Sequence, residues 1–98
     1  MKNLIGKYCV VRGDRSGVFA GTLESADGKF TTLRDVRRLW YWEGASSISQ
    51  IALEGVKAPE NCKFTVAVDT LVLTDAIEII PCTPEAEANV KAVPVWKR

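Results

Sequence analysis

The chain has 98 residues, 47% of them hydrophobic, with 13 basic and 12 acidic side chains and no histidine. This length supports one compact domain over residues 1–98, and the apolar content excludes a disordered chain. A net charge of +1 disfavours grip on duplex nucleic acid, which needs a clear basic excess.

Lys7 to Arg12 reads as a first strand, stopped by Gly13, and Gly13-Asp14-Arg15-Ser16-Gly17 reads as a turn. Val18 to Glu24 forms the second strand, where Gly21 marks a bulge or a close backbone approach. The Asp27-Gly28 pair predicts a hairpin into a third strand over Lys29 to Leu33. After a break at Arg34-Asp35, the aromatic run from Val36 to Glu43 predicts a fourth strand.

A helix follows. Ser47 is its cap and Gln50 closes a capping box, Ile48, Ile51 and Ala52 share one face, and Gly55 stands where a left-handed end is expected. Val56 to Asn61 is a loop. Phe64, Val66 and Val68 alternate with polar or small neighbours and predict a strand to Asp69, continued or followed by Thr70 to Leu73. Ala76 to Ile80 is a strand ended by Pro81. Thr83-Pro84-Glu85 opens a short helix to about Val90, and Val93 to Trp96 returns as an edge strand. The sum is a β-rich (α+β) chain: a small antiparallel SH3-like barrel or meander with one inserted helix and a short C-terminal helix. An α+β open sheet is the second choice.

Cys9, Cys62 and Cys82 are odd in number, widely spaced and unaccompanied by histidine. They are expected to be free thiols in a reducing cytoplasm, with no metal site. No apolar run has the length of a signal peptide or a membrane span, so a cytoplasmic location is expected. The commonest acid/base side chain is absent, and no phosphate loop or nucleophile elbow is present, so no enzyme and no cofactor are expected.

The unusual stretch is Arg37-Arg38-Leu39-Trp40-Tyr41-Trp42-Glu43-Gly44-Ala45-Ser46-Ser47. On a strand, Arg38, Trp40 and Trp42 point one way and Arg37, Leu39, Tyr41 and Glu43 the other. Tryptophan rings stack on flat ligands, arginines fork onto phosphate, and a helix start at Ser46-Ser47 offers amides to an anion. Arg37, Arg38, Trp40, Trp42, Ser46 and Ser47 are therefore the candidate ligand-binding residues. The competing expectation is that Trp40 and Trp42 are core, Arg37 and Arg38 solvated flanks, and the serines simple caps. Trp96 is expected to clamp the last strand or a subunit contact.

That same stretch, with Gly6-Lys7-Tyr8-Cys9, Asp14 to Phe19, Asn61 to Thr65 and Ala76 to Thr83, resembles a family of short uncharacterised phage and prophage proteins. The resemblance implies a small accessory phage protein made in a bacterial host cytoplasm, in a context where such proteins block host defence. The resulting expectation is a non-enzymatic, homo-oligomeric protein that sequesters a small anionic, nucleotide-like ligand. The alternative is a protein-binding module that inhibits a host protein through an exposed Arg/Trp face.

Overall fold

The computed structural model describes residues 2–28 and 30–97. A 3-10 turn at Lys2–Leu4 leads into β1 (Tyr8–Gly13), β2 (Val18–Asp27) and β3 (Phe30–Tyr41). Helix α1 (Ile48–Glu54) and a second 3-10 turn (Pro59–Asn61) follow. The chain ends with β4 (Lys63–Phe64), β5 (Val68–Leu73), β6 (Ala76–Pro81) and α2 (Pro84–Ala92). The strands form one mostly antiparallel sheet in the order β4-β3-β2-β1-β6, with β5 also on β3.

Strand β3 organises the sheet. One edge pairs with β2; the other is shared between β5, opposite Thr31 to Val36, and β4, opposite Leu39 to Tyr41. The expected break at Arg34-Asp35 is therefore a bulge inside one long strand, not a boundary between two. There the register on β2 shifts between Ala20 and Thr22, and Asp35 takes φ 49°. The cause is Gly21. A Cβ at that position would stand 2.7 Å from the Cβ of Val36, so only a bare backbone lets Val36 cross it. Lys29, the expected first residue of the third strand, lies outside the described residues.

Two corrections concern the second half. The alternation at Phe64, Val66 and Val68 does not form one continuous strand. Phe64 is buried, but Val66 and Val68 are exposed, and β4 stops at Phe64. The sheet edge offered by β3 changes partner there, so 65–67 bridges from one ladder to the next. The expected edge strand at Val93 to Trp96 reduces to one parallel bridge, Phe64 to Val95, and a Trp96 N–H donated to the Phe64 carbonyl at 2.8 Å.

Residues of β1 alternate between two cores. Tyr8 and Val10 face Leu39, Ile51, Phe64 and Val90 on the helix side; Cys9 and Val11 face Phe19, Leu23, Leu33, Val36 and Leu73 inside the curled sheet. This two-sided burial explains why the β1 sequence is apolar without interruption from Tyr8 to Val11. Helices α1 and α2 are joined by polar clamps. The Val56 N–H donates to Asn89 Oδ1 at 2.8 Å, Asn89 Nδ2 to the Val56 carbonyl at 2.9 Å, and the Thr83 hydroxyl to the Leu53 carbonyl at 2.7 Å. Strands β5 and β6 are not paired with each other among the described residues, so the sheet is curled but not closed.

Candidate functional site: an aromatic shelf beside β4

From Arg37 to Trp40 the faces of β3 divide as its alternation predicts, but at the strand end Tyr41 is exposed and Trp42 turns to the core. Arg37 and Leu39 are buried, whereas Arg38 is half-buried and Trp40 is 58% exposed. The predicted site residues nevertheless do not form one site.

Arg37 is a structural residue. Its Nε donates to the Thr65 carbonyl at 2.9 Å and Nη2 to the Phe64 carbonyl at 3.1 Å. Its Nη1 donates to the carbonyls of Val90 and Val93 at 3.0 and 2.8 Å. The guanidinium, 5.5 Å from the Phe64 ring centroid, thus pins the chain after β4 to the end of α2. Burial pulls it below its ordinary pKa, with Tyr8 and Asp35 opposing. With four donors already committed, Arg37 is neither a solvated flank nor a free anion receptor.

Arg38 is partly committed too. It lies 4.4 Å above the Phe19 ring and donates to the Ser16 carbonyl, tying β3 to the β1–β2 turn. Trp42, just beyond the strand, is half-buried and packs on the helix-side core. Ser47 caps α1 by accepting from the Gln50 N–H at 3.3 Å. The return arm of the capping box goes elsewhere than expected: Gln50 Oε1 accepts from the N–H and the hydroxyl of Ser46, each at 2.8 Å. Both serines are consumed by capping, and α1 is only seven residues long. They carry no anion site.

What remains exposed is Trp40, and it is not alone. It stacks on Trp96 with ring centroids 5.2 Å apart and planes 15° from parallel. Lys63 Nζ stands 5.1 Å from the Trp40 ring, 5.6 Å from Trp96 and 5.7 Å from Tyr41. Tyr41, 42% exposed, donates its hydroxyl to Glu43 Oε2 at 2.8 Å. Among the described residues no carboxylate lies within ion-pair distance of Lys63. The result is a flat aromatic surface carrying one unneutralised cation. Sequence reasoning placed Trp40 here but missed Lys63 and Trp96. Only the long-range pairing of β4 with β3, and of Val95 with Phe64, brings those two to Trp40.

All three cysteines are free. Burial pushes the Cys9 thiol up to about 11 and the Cys82 thiol up to about 12, so neither is a thiolate nucleophile. Among the described residues no group of three His, Cys, Asp or Glu side chains is placed to hold a metal ion, and no helix is long and apolar enough to cross a membrane.

The curled antiparallel sheet with helices on one side defines an Sm-like small β-barrel fold. A solved structure described as a heptameric archaeal Sm protein, with implications for the eukaryotic snRNP core, is similar at a TM-score of 0.50. It shares 20% identity, over 84% of this chain and 94% of that one. No curated protein matches the sequence. Residues 6–90 match the model described as "Domain of unknown function (DUF6948)", and the chain belongs to that uncharacterised family.

Proposed function

We propose that this protein captures a flat, anionic, nucleotide-like ligand on the Trp40–Trp96 shelf and performs no chemistry on it. One observation carries the reading: an exposed Trp40 stacked on a half-buried Trp96, with the Lys63 ammonium, unpaired among the described residues, 5.1 and 5.6 Å from the two rings. A base stacks on the outer indole face while Lys63 meets the phosphate. The resemblance to phage accessory proteins favours a host signalling nucleotide as ligand and sequestration in a bacterial cytoplasm as the purpose. A homo-oligomer suits this reading. The shelf is open, β5 and β6 each leave one edge unpaired among the described residues, and the structurally similar Sm protein is described as heptameric.

Tryptophan fluorescence titrated with cyclic and linear nucleotides tests it. Quenching should saturate. Trp40→Ala should cost about 1–3 kcal/mol of affinity, as for one stacked base, with little loss of fold because the ring is exposed. Lys63→Ala should weaken nucleotides more than nucleosides. A parent protein that binds no member of the panel sinks this reading. The same flat face then favours the second one, docking of a host protein, because Trp and Tyr are enriched among interface hot-spot residues.

A further inference from the structure

A half-open cavity of about 220 Å³ lies where β1, the β3 bulge and the end of α2 meet. Tyr8, Asp35, Arg37 and Lys91 form its polar wall, and Val93 and Val95 part of its apolar wall. It shares no residue with the Trp40–Trp96 shelf.

Two of its polar groups have no hydrogen-bond partner among the described residues. Tyr8 is 4% exposed, yet its hydroxyl makes no hydrogen bond with any described residue. Among the described residues no fully buried side-chain polar atom lacks a partner, so this oxygen is not sealed off: the ring is buried and the hydroxyl opens onto the cavity. Asp35 takes φ 49°, a left-handed conformation that aspartate adopts more readily than most non-glycine residues, and its exposed carboxylate bonds to no described residue. The bulge thereby delivers an uncommitted carboxylate to the cavity rim. Opposite charge comes from Lys91, whose Nζ lies 5.0 Å from the Tyr8 ring and pairs with Glu87 at 2.6 Å, leaving ammonium protons to spare. Arg37 and Lys91 balance Asp35 and Glu87, so the surroundings are neutral overall and favour a ligand that is neutral overall but charged at both ends.

We propose that this cavity binds a small zwitterion whose ammonium and carboxylate are carried on a short aliphatic body, the chemistry of an aliphatic α-amino acid. The ammonium meets Asp35, the carboxylate meets Lys91 and the Tyr8 hydroxyl, and the aliphatic part lies on Val93 and Val95. The size agrees, since an apolar cavity of about 150 Å³ holds a benzene ring.

Calorimetric titration of the whole chain with L-leucine, isocaproate and isoamylamine tests the proposal. Leucine should bind saturably, and each single-charge analogue at least about tenfold more weakly, because one charged end then lacks its partner. Tyr8→Phe keeps the ring and Asp35→Asn keeps the shape; each should weaken leucine about tenfold with an unchanged melting temperature. Absence of leucine binding at millimolar concentration overturns the proposal. So does leucine binding that is indifferent to both variants, or analogues that bind as well as leucine. Trp40→Ala should leave leucine binding intact, so failure here and failure of the shelf reading are separable.

Discussion

Arg37 shows how a residue chosen for one chemistry serves another. Its planar fork suits phosphate, and it suits backbone carbonyls equally well wherever several converge. Here the carbonyls of Phe64, Thr65, Val90 and Val93 converge, and the guanidinium satisfies all four. Removing it strands buried acceptors, each costing about 1–3 kcal/mol if left unpaired. Arg37→Leu should therefore destabilise the protein by about 3 kcal/mol or more. Arg37→Lys should recover little, since one ammonium cannot reach four separated carbonyls. Urea unfolding measures both. A leucine variant as stable as the parent would return Arg37 to the list of free surface cations.

At the scale of elements, the two helices are short and owe their position to their ends. Thr83 does two jobs with one hydroxyl, donating to the Leu53 carbonyl at 2.7 Å and accepting from the Ala86 N–H at 3.1 Å. It thus caps α2 and docks it to the end of α1. Ser47 only caps, at 3.3 Å, and Gln50 is independently held by Ser46. Thr83→Ala should cost about 1–2 kcal/mol and Ser47→Ala about 0.5–1 kcal/mol, within the range known for lost N-caps. Thermal or urea melts of the two variants decide it; the reverse order would mean that the α1–α2 clamp rests on Asn89 and on the Thr83 N–H donated to the Ala52 carbonyl, not on the Thr83 hydroxyl.

For the whole molecule, the telling feature is the open sheet. Strands β5 and β6 are six residues each, both pair on one side only among the described residues, and they expose Val68, Val72 and Ile77. Unprotected edges of this kind are normally blunted by lysine, proline or a bulge. Neither strand has a lysine, proline appears only at the end of β6, and β6 has a register irregularity at Ile77, between its pairings with Arg12 and Gly13. An edge of β5 against an edge of β6 on another copy is a head-to-tail contact, which closes into a ring when the rotation permits. Light scattering should give a multiple of the monomer mass, and Val72→Lys with Ile77→Lys should reduce it to the monomer. A monomeric parent protein removes the oligomer from the functional reading.

The sequence by itself determined the local features: the β-rich composition, the first two strands, both helix caps, the tight approach at Gly21 and the alternation from Arg37 to Trp40. Each depends on neighbours within a few residues, through turn chemistry, side-chain periodicity and capping. It could not say that Arg34-Asp35 is a bulge, because that depends on Val36 crossing Gly21 of another strand. Nor could it rank the arginines, because the carbonyls that claim Arg37 come from residues 27 to 56 positions away. The shelf was half legible for the same reason. Trp40 declared itself by composition, but Lys63 and Trp96 reach it only through long-range strand pairing, and burial or exposure of an aromatic strand is decided by what packs against it.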